Sequence, residues 1–166
     1  MSPTPVVKRQ IGEAKFSAIG YGAMGLAVAY GPALPDEERL KVLDGVYKSG
    51  ITHWDTADAY LDSEHLIGEW FKRTGKRNEI FLATKFGMGR LWQGDQARTV
   101  NGTPEWAVQA LHRSLEQLGT DYVDLWYLHR ADINVPIERA VYTRSFNRAG
   151  LRRKRGREYG TGVIWV

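Results

Sequence analysis

The chain has 166 residues, enough for one domain of ordinary size, and its 43% hydrophobic and 25% charged residues are typical of a globular protein. It contains no cysteine, which excludes disulfides, thiolate metal sites and cysteine nucleophiles. The net charge of +4 comes from residues 143–166, which hold seven basic side chains and one acidic one. The first 142 residues carry 16 basic and 18 acidic side chains. They therefore give no electrostatic case for nucleic acid or a membrane as a partner.

The N-terminal segment shows no targeting or membrane sequence. MSPTPVVKRQ has no apolar core of the kind that signal peptides carry. No apolar run in the chain approaches the roughly 18 residues that a membrane span needs. Together with the absence of cysteine, these features predict a cytoplasmic protein.

The first 50 residues are predicted to form a β-hairpin, a short strand and a helix. Residues 6–10 and 13–16 flank an Ile-Gly pair and are typical of hairpin arms. A strand over residues 17–20 runs into the glycine loop GYGAMG. A helix follows over residues 36–49, and Gly50 suits the left-handed position just after a helix end.

The rest of the chain repeats the order strand, loop, helix. Predicted strands cover residues 51–55, 80–84 and 122–128; predicted helices cover 63–74 and 104–118, and a fourth helix begins at residue 136. This alternation predicts right-handed βαβ units and a parallel α/β sheet. Two architectures fit the pattern: an open doubly wound sheet, or the first four units of a (β/α)₈ TIM barrel.

The glycine loop contains a dinucleotide-binding pattern in an unsuitable context. Gly20, Gly22 and Gly25 spell G-x-G-x-x-G after a strand. That fingerprint requires a helix to open at the glycines, so that its N-terminus meets the pyrophosphate. Here the next predicted helix begins only at residue 36. The pattern favours a glycine-rich turn, and a Rossmann-type dehydrogenase is the lesser alternative.

Titratable side chains follow three of the predicted strands. Asp55 ends the second strand with Tyr60 in the loop beyond it, Lys85 follows the third strand, and His129 follows the fourth. In a parallel barrel these strand ends share one face, where catalytic groups lie. Each residue alone has a structural reading: a turn cap, a packing aromatic, a lysine reaching solvent, a bonded core histidine. Their shared placement indicates a site.

The four residue types suit carbonyl reduction. That reaction delivers a proton to oxygen as hydride reaches carbon. A tyrosine such as Tyr60 can deliver the proton, and the ammonium of Lys85 would stabilise the phenolate left behind. Asp55 would keep the ammonium charged, and His129 would bond the carbonyl oxygen. The hydride must come from a cofactor, because no side chain supplies one.

Five segments carry a resemblance to a known family. GYGAMGL, WDTADAY, SEHLIGEWF, FLATKFG and DLWYLHR resemble the aldo-keto reductases, NADP(H)-dependent (β/α)₈ barrel enzymes, over residues 8–142. The resemblance implies that Tyr60 is the proton donor assisted by Lys85. It implies that Asp55 pairs with Lys85 near the nicotinamide, and that His129 contacts the substrate carbonyl.

The same resemblance implies the surroundings of the site. The backbone near Gly22, Ala23 and Met24 would contact the cofactor. Tyr30 and Trp92, which lie in long loops, would form walls of the substrate pocket. The substrate would be a small carbonyl or alcohol compound, with no metal involved. We expect residues 1–142 to form the N-terminal half of the barrel and residues 143–166 to be a basic, poorly ordered tail.

In such enzymes the second half of the barrel grips most of the cofactor, and we find no counterpart of those residues. The resemblance therefore predicts an oxidoreductase by family whose barrel is C-terminally truncated and inactive as this chain. The alternative is a non-catalytic half-barrel fragment or remnant gene product. Four βα units leave sheet edges open, which favours self-association. Nucleic-acid binding by the basic tail is the least favoured hypothesis.

Overall fold

The computed structural model of the protein describes residues 6–27, 31–89 and 99–140. The strands are β1 (Lys8–Ile11), β2 (Ala14–Ser17), β3 (Gly20–Gly22), β4 (His53–Asp55), β5 (Phe81–Phe86) and β6 (Leu125–Leu128). The helices are α1 (Met24–Ala27), α2 (Asp36–Lys48), α3 (Ser63–Thr74), α4 (Pro104–Leu118) and α5 (Ile137–Ala140), with a 3-10 turn at Arg77–Glu79. Tyr30, Trp92 and the predicted tail at residues 143–166 lie outside the described residues.

The N-terminal hairpin forms where the sequence predicts it, but its turn lies one residue later. Ile11 pairs with Ala14, which leaves a two-residue turn that begins at Gly12. Gly12 has a φ of 56°, a left-handed conformation that glycine adopts without steric cost. Ser17 ends β2, and its hydroxyl accepts bonds of 2.9 and 3.1 Å from two successive amides at the start of β4. The first parallel strand therefore begins at Gly20 and not at residue 17.

Helices α3 and α4 begin and end at the predicted residues. The hydroxyl of Thr103 caps α4 by accepting a bond from the amide of Trp106 at 3.3 Å. Gly75 and Gly119 end α3 and α4 with φ of 69° and 59°, the left-handed conformation of a C-terminal cap. None of the described helices combines the length and the apolar character that crossing a membrane requires.

The strand order decides between the two predicted architectures. Strands β3, β4, β5 and β6 lie side by side in that order, and each neighbouring pair is parallel. A doubly wound sheet reverses its strand order where the nucleotide binds. No reversal occurs among the described strands, so the order is that of a (β/α)₈ barrel and the Rossmann-type alternative is not retained.

The glycine loop differs from the prediction. Helix α1 opens at Met24, after Gly20 and Gly22 and with Gly25 as its second residue, where the sequence predicts a loop. It has four residues, and it buries Leu26 and Ala27 against the body of the protein. The chain crosses to β4 through α2, so α1 does not take the place of the long helix that a dinucleotide-binding unit has at this point.

The apolar core lies between the sheet and its helices. Trp54 of β4 is fully buried, with its ring centroid 4.7 Å from that of Trp70 on α3. Helices α3 and α4 approach closely at Gly68, where a Cβ would lie 2.5 Å from the carbonyl oxygen of Gln117. Because side chains alternate along a strand, Asp55 points to the face opposite Trp54. That opposite face of the sheet carries the candidate site.

Candidate active site

The sheet register brings the predicted strand-end residues onto one face. Asp55 is paired with Ala83, and Lys85 is two residues farther along the same strand. Side chains two residues apart share a face, so Lys85 points to the side on which Asp55 lies. The sequence predicts that Lys85 follows the third strand, but the structure places Lys85 within β5. The reason is that β6 extends the ladder through Phe86.

The ammonium of Lys85 is the centre of the site. Its Nζ donates to the carboxylate Oδ1 of Asp55, to the carbonyl oxygen of Thr56 at 2.8 Å, and to the hydroxyl of Tyr60 at 3.3 Å. An ammonium has three N–H donors, and each one finds an acceptor here. Lys85 is 8% exposed, so the paired carboxylate is what allows a charge in this position.

Tyr60 lies in the loop between β4 and α3. Its amide donates to the carbonyl of Ala57 at 3.1 Å, and its own carbonyl accepts from Ser63 at 2.9 Å. The next residue, Leu61, has a φ of 47°, which is uncommon for a residue with a side chain. The tyrosine ring is buried, and Nζ of Lys85 lies 4.7 Å from its centroid. The loop thus holds the Tyr60 hydroxyl at the ammonium.

His129 completes the group of four. Its amide donates to the carbonyl of Phe86 at 2.8 Å, and its ring meets the ring of Tyr60 edge-on at a centroid distance of 5.5 Å. Burial, followed by the positive charges of Lys85 and Arg130, lowers the pKa of His129 to about 4. The imidazole is therefore neutral at pH 7. Its Nδ1 is buried without a hydrogen-bond partner among the described residues.

Sequence reasoning missed Tyr127. Its hydroxyl donates to Oδ2 of Asp55 at 2.5 Å, opposite the oxygen that faces Lys85. Burial and then the bond to Asp55 raise the pKa of Tyr127, which keeps the hydroxyl protonated as a donor. The available signal was its position two residues before His129, which places both side chains on one sheet face.

Sequence reasoning also missed Arg39, which braces the loop that carries Tyr60. The buried guanidinium donates to both carboxylate oxygens of Asp62, at 3.0 and 2.8 Å. It also donates to the carbonyl oxygen of Leu26 in α1 at 3.0 Å. One side chain on α2 therefore connects the loop after β4 with the segment after β3.

The last residue of β3 and the segment after it contain the residues that the family resemblance assigns to the cofactor. Gly22 is exposed, and a Cβ added there would meet no atom within 4 Å, so its surroundings are open. Met24 packs beside Tyr60. The amide of Ala23 donates to the carbonyl of Asp55 at 2.8 Å, and its carbonyl accepts from Ser63 at 3.1 Å. Ala23 thus fixes this segment to the site, while Gly22 and Met24 are the accessible positions.

The described residues contain no group of three or more histidine, aspartate or glutamate side chains arranged to hold a metal ion. Their chemistry rests on the Asp55, Tyr60, Lys85 and His129 side chains, with Tyr127 beside them. A parallel sheet in barrel order with these side chains near the carboxyl ends of its strands defines the class: a (β/α) barrel protein with a cluster of titratable side chains at that end.

The chain belongs to the aldo/keto reductase family of oxidoreductases, whose family model matches residues 18–151. It is 47% identical over 142 residues to aldo-keto reductase str7 of Strobilurus tenacellus, a match that covers 82% of this chain and 40% of that protein. It is 43% identical over 135 residues to aldo-keto reductase yakc (NADP(+)) of Schizosaccharomyces pombe, covering 80% of this chain and 39% of that protein.

A solved structure supports the same assignment. The holo form of aldo-keto reductase AKR11C1 from Bacillus halodurans superposes with a TM-score of 0.72 at 32% identity, over 87% of this chain and 46% of that one. The chain therefore spans about 40% of the length of the curated relatives it matches. The described part corresponds to the first four βα units of their barrel.

Proposed function

We propose that this site handles the proton in an NADP(H)-dependent reduction of a small aldehyde or ketone, or in the reverse oxidation of the alcohol, with Tyr60 as the proton donor. The observation that supports this most is the set of bonds from Lys85 to Asp55, to the Thr56 carbonyl and to Tyr60. This set places a charged ammonium on the oxygen that must give up a proton.

The direction of that bond determines what Tyr60 can do. The tyrosine oxygen accepts a hydrogen bond from Lys85 at 3.3 Å, so its own proton points away from the ammonium. A carbonyl oxygen placed there receives that proton as its carbon accepts the hydride. The bond between tyrosine oxygen and proton breaks, and the electron pair stays on the phenolate, which Lys85 stabilises. The products are the alcohol, the oxidised nicotinamide cofactor and a tyrosinate, which takes a proton back from solvent water.

His129 suits the role of orienting the carbonyl. Its ring is neutral at pH 7, since its pKa is lowered to about 4, and a neutral imidazole carries one N–H donor. The edge-on contact with Tyr60, 5.5 Å between ring centroids, places the imidazole beside the proposed proton donor. Two donors that converge on a carbonyl oxygen select its position and stabilise the charge that develops on it.

Three observations support a position beside β3 for the cofactor. Gly22 leaves open space, Met24 borders the Tyr60 cluster, and Asp55 is fixed to the same segment through Ala23. We propose Gly22, Met24 and Asp55 as the residues of the described part that lie against the nicotinamide end, with Ala23 holding them in place. The bound cofactor supplies the hydride. NADP(H) is favoured because a relative of 43% identity carries NADP(+) in its name.

We further propose that the 166 residues alone do not turn over. The resemblance assigns the cofactor's phosphate and adenine contacts to the second half of the barrel, and this chain spans about 40% of its relatives. Holding the reacting carbons about 3–3.5 Å apart can lower the activation free energy by roughly 7–11 kcal/mol. A nicotinamide held only at Gly22 and Met24 would not keep that alignment. In this form the chain is a non-catalytic half-barrel with a complete proton site.

A chimera tests the proposal directly. Residues 6–140 replace the matched segment of the Strobilurus tenacellus relative, and NADPH oxidation with a test aldehyde is followed by absorbance. We expect turnover, and we expect Tyr60→Phe to lower kcat by about 10²–10⁴-fold, the usual contribution of a positioned acid. Tyr122→Phe is the matched control, because that hydroxyl bonds Asn78 at an exposed position. A Tyr60→Phe chimera as fast as the Tyr122→Phe chimera would refute the assignment.

A further inference from the structure

Tyr127 lies in the site by virtue of the sheet register. It is paired with Lys85 across β5 and β6, so the two side chains stand next to each other on the same face. Nζ of Lys85 lies 5.4 Å from the Tyr127 ring centroid and 4.7 Å from that of Tyr60. The ammonium thus lies near two tyrosine rings, which come from the segments on either side of β5.

The two tyrosines contact different atoms. Tyr60 meets the ammonium itself, whereas the hydroxyl of Tyr127 donates to Oδ2 of Asp55 at 2.5 Å. The other carboxylate oxygen, Oδ1, accepts from Lys85. The Asp55 side chain is 29% exposed, so water competes for any oxygen that the protein leaves without a donor. The Tyr127 bond fixes the rotation of the carboxylate about its Cβ–Cγ bond.

We propose that Tyr127 is a positioning residue: its hydroxyl holds the Asp55 carboxylate so that Oδ1 faces Lys85, and through Lys85 it fixes the ammonium on the Tyr60 hydroxyl. This inference rests on the proposed function for its catalytic consequence, but the contact and its effect on Lys85 can be measured without activity. Burial and the bond to Asp55 raise the pKa of Tyr127, in keeping with a permanent donor.

The first test uses the 166-residue chain and no substrate. A lysine ammonium held by three acceptors exchanges its protons slowly, so we expect a resolved ¹⁵Nζ signal from Lys85 in the wild type. Tyr127→Phe keeps the ring beside Lys85 and removes only the hydroxyl. We expect it to shift or broaden the Lys85 signal in a protein that still unfolds in one cooperative urea transition, and Tyr122→Phe to leave the Lys85 signal unchanged. A Lys85 signal in Tyr127→Phe that superposes on the wild type, with the Lys85→Met spectrum confirming the assignment, would overturn the inference.

The second test uses the chimera. We expect Tyr127→Phe to lower kcat by about tenfold, and the KM values for NADPH and aldehyde to stay unchanged, because the lost contact touches neither ligand. Tyr127→Leu, which also removes the ring, should lower kcat further. If the wild-type chimera is folded but inactive, the proposed function fails, and the Lys85 signal measured in that same chimera still decides the role of Tyr127. Equal kcat values for wild type and Tyr127→Phe in an active chimera would contradict the positioning role of Tyr127.

Discussion

At the scale of single residues, the site depends on how one buried ammonium is satisfied. The ammonium of Lys85 has three N–H donors, and each donates to an acceptor elsewhere in the protein, one of which is the carboxylate of Asp55. Removing a partner from such a group costs more than the bond itself is worth, because the remaining charge is left in a poorly solvated position. The same bonds that make Lys85 stable inside the protein also orient Tyr60.

The neutral state of His129 predicts a pH dependence of stability. Its pKa falls from the ordinary 6.5 to about 4 on folding, so the unfolded chain binds the proton more readily than the folded one. The contribution of His129 to the free energy of unfolding should therefore be constant above pH 6.5. It should decrease as the pH falls from 6.5 to 4. We expect a loss of about 1–2 kcal/mol after allowing for solvent screening at a partly exposed ring.

The measurement is urea unfolding of wild type and His129→Gln between pH 4 and 8. The difference between the two proteins isolates His129 from His53, whose pKa burial also lowers. A wild type that loses no more stability than His129→Gln on acidification would show that His129 is not held neutral by the fold.

Arg39 gives a second prediction at this scale. It is 6% exposed and donates four bonds, two to Asp62, one to Asp36 and one to the Leu26 carbonyl, so Arg39→Met leaves those acceptors without this donor. We expect the free energy of unfolding to fall by about 2–3 kcal/mol. Lys41→Met is the control, since its pair with Glu38 is exposed and contributes about 0–1 kcal/mol.

Chemical denaturation of both variants tests this expectation. The double variant Arg39→Met, Asp62→Leu should recover part of the loss, because it removes the carboxylate along with its partner. An Arg39→Met protein as stable as Lys41→Met would mean that the buried guanidinium does not brace the Tyr60 loop.

At the scale of elements, the close approach of α3 and α4 depends on Gly68. A Cβ there would lie 2.5 Å from the Gln117 carbonyl oxygen and 2.9 Å from the Leu118 carbonyl carbon, both backbone atoms that cannot move independently. We expect Gly68→Ala to destabilise the protein by about 1–3 kcal/mol through overpacking.

Gly45 provides the matched control, because it lies within α2 with nothing within 4 Å of an added Cβ. Gly45→Ala should stabilise the protein by about 0.5–1 kcal/mol, since alanine is the better helix former. Thermal unfolding of both variants measures the two changes. A Gly68→Ala variant that gains stability in the same way as Gly45→Ala would contradict the packing described here.

The helices were predictable because their signals are local. The Thr103-Pro104 pair at the start of α4 and the glycines at positions 75 and 119 act within one turn of the helix that they begin or end. Strand limits were less predictable. Lys85 belongs to β5 because β6, some 40 residues later in the chain, supplies its ladder partner Tyr127. The position of a strand end depends on that partner and not on the local sequence.

The site shows the same division. The strand-end argument found Asp55, Lys85 and His129 because parallel strands place their ends on one face. It did not find Tyr127 or Arg39, whose bonds join residues 72 and 23 positions apart. Tyr127 reads as one more apolar residue of VDLWYL, and Arg39 as a surface residue of an amphipathic helix. Their roles depend on a register and a packing angle that the sequence does not state.

At the scale of the whole molecule, β3 and β6 each have a neighbour on one side only within the described sheet. Unpaired strand edges tend to associate, and two four-stranded halves could pair edge to edge as an eight-stranded barrel. We expect the purified 166-residue chain to self-associate. Light scattering across a concentration series would show a dimer or larger species, whereas a folded monomer at every concentration would contradict this expectation.

The central proposal is that these residues contain all of the proton-donating site but only part of the cofactor-binding contacts. A single side-by-side assay of NADPH oxidation tests it most directly, with the 166-residue chain and the chimera at equal concentration and the same aldehyde. We predict turnover by the chimera and none by the chain. Turnover by the 166-residue chain that Tyr60→Phe abolishes would contradict the account, because these residues alone would then hold the nicotinamide in line with the carbonyl.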